Sequence, residues 1–222
     1  MGSKNKLKRF RENETFSNVI QPERESILKG NFPHKGLWRR DFFKNDNPIV
    51  LELGCGKGEY TVHLAQRSPE VNHIGIDIKG ARFWRGAKTA IEEGLTNVGF
   101  IRTQIELIGH CFAPGEVDEI WITFPDPQIK YKRSKHRLTH PKLLETYQSV
   151  LKPNGRVHLK TDSEFLFGYT LGIVSQIGNI EYAHHNIYNN SDAPEVATAV
   201  QTFYENQFLK EKKAITYMKF TL

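Results

Sequence analysis

Four carboxylates and a glycine-rich turn carry the residue types on which chemistry can be built. Glu52 precedes the run Gly54-Cys55-Gly56-Lys57-Gly58, Asp77 ends Gly75-Ile76-Asp77, Asp126 stands between two prolines in Phe124-Pro125-Asp126-Pro127, and Asp162 follows Lys160-Thr161. Glycines spaced G-x-G-x-G let a loop take positive φ and let a ligand approach the backbone closely. A carboxylate at the position of Asp77, 19 residues after Gly58, can accept hydrogen bonds from both hydroxyls of a ribose. Asp126 has a different neighbourhood. From Pro127 through Leu144 there are six Lys or Arg and no Asp or Glu, so a reactive-looking acid adjoins a surface suited to a polyanion, of which phosphates are the commonest kind.

These residues need a scaffold that brings them to one edge. Short apolar runs at Ile49 to Leu53, His73 to Ile78, Val98 to Arg102, Glu119 to Phe124 and Arg156 to Lys160 read as strands. Between them Gly58 to Arg67, Ala81 to Glu93, Pro141 to Leu151 and Ser163 to Ile177 read as helices, with Pro141 in a first turn and Gly94 and Gly178 as stops. Such alternation builds a mainly parallel α/β sheet, whose ligands bind at the carboxyl ends of the strands. Ile180 to Ile187 and Ala214 to Leu222 are strand-like and flank a helix near Glu195 to Lys210. Residues 1–45 are polar and punctuated by Pro22, Gly30, Pro33 and Gly36, which predicts a basic N-terminal arm with short helical pieces ahead of a domain spanning 46–222.

Bulk properties narrow the class. The 222 residues, 38% of them hydrophobic, suffice for one full domain. No window approaches the roughly 18 apolar residues of a membrane span, and the N-terminus lacks the apolar region of a secretory signal, so a soluble cytoplasmic protein is expected. Cys55 and Cys111, the 2 cysteines, lack redox or zinc spacing and read as free thiols. His136 and His140 have no accompanying Cys or carboxylate at metal-ligand spacing, so no metal is expected. The net charge of +6 is segregated: residues 1–11 hold Lys4, Lys6, Lys8, Arg9 and Arg11 without an acid, a pattern shared by solvated tails and nucleic-acid arms.

The dinucleotide fingerprint requires its third glycine one residue later, where Glu59 stands, and GK[ST] is absent. The pattern E-x-G-x-G-x-G, with the acid at Asp77, instead resembles the first motifs of class I S-adenosylmethionine-dependent methyltransferases. The ordered set of F-P-D-P, then Lys130, Lys132, Arg133, Lys135 and Arg137, then Lys160-Thr161-Asp162, then Thr202-Phe203-Tyr204-Glu205 resembles the bacterial tRNA (guanine-N7)-methyltransferase family, TrmB, from about Glu52 to the C-terminus. That resemblance implies a Rossmann-like class I methyltransferase fold: a mainly parallel seven-stranded sheet with an antiparallel C-terminal strand and helices on both faces. It implies methylation of guanine at position 46 in the tRNA variable loop. By it Glu52, Gly54, Gly56, Gly58, Asp77, Gln104 and Asp126 belong to the S-adenosylmethionine site, with Asp126 also the catalytic acid. Lys130, Asp162, Thr202, Phe203, Tyr204 and Glu205 would contact substrate, and Lys132, Arg133, Lys135 and Arg137 the RNA backbone. The chain departs from the family wording at Gln128 and Ile129, where the family has Trp and Pro, at Lys132-Arg133, which stand in the place of Arg-His, and at Gln104, where it has Asp or Asn.

Guanine N7 offers an in-plane lone pair and carries no proton, so its attack on a sulfonium methyl needs no obligatory general base and orientation dominates. Two other readings compete. Methylation of an exocyclic base amine usually goes with [DNS]-P-P-[FYW], and Asp126-Pro127-Gln128 lacks both the second Pro and the aromatic. A non-catalytic RNA-binding protein with a relic cofactor fold would have no use for acids at 52, 77, 126 and 162. A monomer or a homodimer is compatible with the sequence.

Overall fold

The computed structural model describes residues 2–222, with side chains from residue 5 onward; the side chain of Lys4 in the basic N-terminal run lies outside them. Its strands are β1 (Val19–Ile20), β2 (Ile49–Leu53), β3 (Asn72–Ile76), β4 (Val98–Ile101), β5 (Val117–Thr123), β6 (Leu151–Thr161), β7 (Asn179–His184) and β8 (Thr216–Thr221). Helices are α1 (Gly2–Thr15), α2 (Arg24–Leu28), α3 (Glu59–Arg67), α4 (Gly80–Glu92), α5 (Ile108–Cys111), α6 (Pro141–Val150), α7 (Glu164–Ile177), α8 (Glu195–Thr198) and α9 (Phe203–Lys210). All eight strands join one sheet in the order β1-β4-β3-β2-β5-β6-β8-β7. Neighbours run parallel except that β8 is antiparallel to both β6 and β7.

The order reverses at β2. The chain winds outward through β3 and β4, then returns to β2's other side with β5, which opens a crevice at the carboxyl ends of β2 and β5. Alternate residues of the central strands feed opposite faces: Leu51, Ile74 and Ile120 pack with Leu144 and Leu166, while Val50 and Trp121 pack with Tyr60 and Leu64. Both faces are thus buried under helices, which explains why these strands read as continuous apolar runs.

One strand exceeds the seven expected. Val19–Ile20 adds itself in parallel to β4, pairing with Phe100 and Ile101; two residues are too few to leave a periodic trace in the sequence.

Residues 1–45, expected as an arm with short helical pieces, contribute four buried side chains to one core. Ile27, Phe32, Trp38 and Phe43 are buried there, and Trp38 stacks on Phe112 at 5.2 Å and 16°. Trp38 Nε1 donates to Cys111 O (3.0 Å), and the Glu116 carboxylate accepts from the backbone N–H groups of Gly36, Trp38 and Ala113. Tertiary burial of aromatic surface, at roughly 25 cal/mol per Å², fixes a segment whose local composition favours a loop. Both thiols are free and buried, and no helix among the described residues is long and apolar enough to cross a membrane.

Candidate active site

The turn after β2 follows from its glycines. Gly54, Gly56 and Gly58 have φ of 77°, 56° and 75°, the left-handed region that side chains disfavour. Their roles divide. A Cβ on Gly54 or Gly56 would meet nothing closer than 3.5 Å of protein, and both line a cleft of about 350 Å³ at the β2/β5 crevice. A Cβ on Gly58 would lie 2.7 Å from Phe100 and 3.2 Å from Gly86 Cα. Gly58 is outside the cleft and serves close packing of α3 on α4, a correction to its assignment to the cofactor.

Two acids floor this cleft. Glu52 is 4% exposed; its carboxylate accepts from Thr61 N (2.9 Å), Thr61 Oγ1 and Thr123 Oγ1 (2.5 Å). Burial outweighs those three bonds and raises its pKa to about 7. Asp77 accepts from Gly56 N (3.0 Å) and Lys79 N (2.7 Å), so it fixes the glycine loop and also begins the approach to α4.

At the end of β5 the chain turns sharply. Phe124 and Gln128 both adopt positive φ, 47° each, which costs a non-glycine residue about 1–2 kcal/mol. Asp126 sits between them, exposed at the cleft, with Oδ1 accepting from Gln128 N (3.0 Å). Phe124 N donates to Lys160 O (2.8 Å), and its ring packs on Phe208 at 5.8 Å. The turn is held from below by Arg137, whose guanidinium donates to the carbonyls of Gln128 and Ile129 at 3.2–3.3 Å and lies 4.3 Å from the Tyr169 ring. At 5% exposure Arg137 is committed to the protein and does not face RNA phosphate, which corrects its placement among the backbone-binding cations. Lys130, Lys132, Arg133 and Lys135 are exposed, and Tyr131 beside them is 90% exposed.

The C-terminal segment closes the cleft's outer wall. Thr202 caps α9 with a capping box, accepting from Glu205 N (3.2 Å) while Glu205 accepts from Thr202 N. Thr202 and Tyr204 line the cleft. Phe203 N donates to Glu59 Oε2 (3.1 Å), and Lys57 Nζ sits 4.4 Å from the Phe203 ring, so the glycine loop and α9 grip one another.

Glu205 itself is not a surface acceptor. It is fully buried, paired with the equally buried Lys160 Nζ at 2.6 Å, and accepts from Tyr188 O–H (2.6 Å). Lys160 also donates to Val200 O (3.1 Å), and burial lowers its pKa against the upward pull of Glu205. This buried latch joins β6 to α9, so Glu205 positions Thr202 and Tyr204 rather than touching substrate; the expectation of a direct contact is corrected.

Gln104 stands apart as well. Its Oε1 accepts from Arg24 Nε (3.2 Å) in a neighbouring hollow that includes Ile78 and Arg102. Asp162, half-buried after β6, lies outside the cleft. Sequence reasoning assigned no site role to Thr61, Thr123, Lys57, Glu59, Arg82 or His136, all placed in or against the site; of these Lys57, Glu59 and His136 lie within stretches that drew notice. Cys55 lines the cleft, but burial beside Glu52 and Asp77 pushes its thiol well above the ordinary range, which leaves it inert. Among the described residues no three His, Cys, Asp or Glu side chains cluster at metal-binding distance.

A glycine cradle open to a ligand, two carboxylates at adjacent strand ends and a third acid facing them define a class I methyltransferase site, and the residues fit S-adenosylmethionine: side chains at Gly54 or Gly56 would fill the space it needs. Comparison agrees on the fold. The 16S rRNA methyltransferase KamB superposes with a TM-score of 0.62 at 13% identity, over 83% of this chain and 91% of that one. The 16S rRNA (adenine(1408)-N(1))-methyltransferase from Catenulisporales acidiphilia gives 0.61 at 13% identity, over 93% and 96%. The methyltransferase family model Methyltransf_4 matches residues 46–218.

Sequence relatives are more specific. A tRNA (guanine-N(7)-)-methyltransferase of Christiangramia forsetii is 66% identical over 100% of both chains, one of Porphyromonas gingivalis 49% identical over 94% of this chain and 86% of its own, and one of Streptococcus thermophilus 36% identical over 82% and 83%. The chain belongs to the tRNA (guanine-N(7)-)-methyltransferase family.

Proposed function

We propose that the protein methylates N7 of guanine at position 46 in the variable loop of tRNA, with S-adenosylmethionine as donor. The observation that carries this reading is Asp126, exposed on a strained turn that shares one cleft with Glu52, Asp77 and the glycine loop; family membership supports it. S-adenosylmethionine supplies an electrophilic methyl on a sulfonium, which N7 takes through its lone pair as the C–S electron pair returns to sulfur. Gly54, Gly56, Glu52 and Asp77 hold the cofactor. Glu52, with its raised pKa, is ionised fully only above neutrality, and a bound cation favours that ionised form.

The chain's task toward guanine is orientation. Asp126 accepts from N1–H and N2–H, aims N7, and stabilises the positive charge that develops on the purine. One of its oxygens is held by Gln128 N, so the carboxylate is aimed before substrate arrives. Thr202 and Tyr204, latched by Lys160 and Glu205, complete the wall. Lys130, Lys132, Arg133 and Lys135 meet phosphates, contacts that position RNA without reading sequence. Gln104, its oxygen held by Arg24 in a separate hollow, is given no role at the cofactor.

Acting on tRNA, the protein would work in the cytoplasm, as a monomer or homodimer. The test is incubation with unmodified tRNA and methyl-tritiated S-adenosylmethionine, followed by nucleoside mass spectrometry. Formation of 7-methylguanosine at position 46 is expected; N2-methylguanosine would favour exocyclic amine transfer, and no methylated nucleoside would leave only RNA binding.

A further inference from the structure

α1 and α4 hold a group of cations that the site does not use. α1 crosses the first turn of α4: Asn13 Nδ2 donates to Gly80 O (2.9 Å, buried), Arg9 Nη1 reaches Ala81 O (3.5 Å), and Glu12 Oε2 accepts from Trp84 Nε1 (2.6 Å). The Arg9 guanidinium lies 4.7 Å from the centre of the Trp84 ring and Lys88 Nζ lies 5.3 Å from it. Docking therefore gathers two basic segments, 72 positions apart at Arg9 and Ala81, onto one rim. Their only acids are Glu12, Glu14 and Glu92.

Lys6 and Arg11 on α1, and Lys79, Arg82 and Arg85 at and along α4, are exposed and form no ion pair among the described residues. Bringing like charges together disfavours the compact state unless a polyanion offsets it. The rim is continuous with the cleft, because Arg82 lines it. It lies across β2 from the 126–138 turn, since β3, which leads into α4, and β5 flank β2 on opposite sides.

We propose that the α1/α4 rim is a second phosphodiester-binding surface, so that tRNA is held from both sides of the cleft, by this rim and by the Lys130–Lys135 turn. The proposal rests on the tRNA reading and deepens it. Phosphate is the ligand chemistry that several exposed guanidinium and ammonium groups, forming no ion pair among the described residues, recognise, and each contact releases condensed counterions.

The variant Lys6→Gln/Arg11→Gln/Arg85→Gln tests this, since none of the three packs against the core. Filter binding of a full-length unmodified tRNA transcript across a salt series should show about 10-fold weaker binding at low salt. The slope of log Kd against log salt should fall by about two, given roughly 0.7–0.9 per phosphate contact. Affinity for S-adenosylhomocysteine should be unchanged. Arg85→Glu should weaken tRNA binding further than Arg85→Gln, and Arg85→Lys should restore it. A wild-type salt slope in the triple variant would overturn the proposal and leave the rim for some other partner, such as an acidic protein. If the wild-type protein forms no 7-methylguanosine the functional reading fails separately, and the slope still decides whether the rim binds RNA.

Discussion

The two walls of the cleft are built in opposite ways. On the cofactor wall every acid is already spoken for: Glu52 is buried under three donors and Asp77 clamps two backbone N–H groups. On the substrate wall Asp126 is exposed, holds one N–H, and sits between two residues at positive φ. A small cofactor that is the same in every cycle suits a preorganised cradle. A large RNA suits an open, aimed carboxylate whose support lies behind it, in Arg137 and in the Lys160–Glu205 latch.

That contrast can be broken most forcefully at the latch. Lys160→Met leaves Glu205 buried without its partner and should cost about 3–5 kcal/mol in denaturant unfolding. Lys160→Met/Glu205→Gln should recover much of the loss, because the remaining amide keeps the cap without a buried charge. Wild-type stability in the single variant would mean that the pair does not support the substrate wall.

Asp126→Asn comes next. It keeps an oxygen for the Gln128 N–H but removes the charge, and kcat should fall by about 10²–10³ with tRNA affinity nearly intact. A fall in tRNA binding with unchanged kcat would reassign Asp126 to recognition.

The cofactor wall is tested through pH. With its folded pKa raised from 4.5 to about 7, Glu52 gives up its proton first in the unfolded chain. Stability therefore falls as pH climbs between those values and levels off above. Glu52→Gln should remove that decline and be the more stable protein at alkaline pH. Calorimetry should show wild-type affinity for S-adenosylhomocysteine, an ammonium-bearing ligand, tightening as pH rises through about 7. The variant should bind more weakly and without this pH dependence; parallel profiles would remove Glu52 from cofactor binding.

The smallest effect belongs to the turn. Gln128→Gly relieves one left-handed residue and should raise stability by about 1 kcal/mol or less, with kcat within about twofold. A drop in melting temperature would show that Gln128 side-chain contacts outweigh the strain.

Much of the cofactor wall was legible beforehand because its determinants are local. A strand, a glycine turn and a helix start lie within Ile49 to Arg67, and the second acid ends the next strand, so spacing alone predicts their meeting. The substrate wall was legible as a list of residues but not as an arrangement. Asp126 opens onto the cleft and Lys130, Lys132 and Lys135 are exposed, whereas Arg137 turns inward and Glu205 is consumed by Lys160, 45 positions earlier. Neither partnership leaves a mark in local composition.

What the amino-acid order determined by itself is the alternation of strands and helices, the positive-φ glycines, and the carboxylates at consecutive strand ends, because periodicity and turn chemistry act over a few residues. Only the tertiary structure decided which charges are buried and paired, that Val19–Ile20 becomes an edge strand, and that Trp38 joins the core. It also decided that basic α1 docks beside α4. Those outcomes depend on contacts between distant segments, where desolvation and packing outweigh local preference.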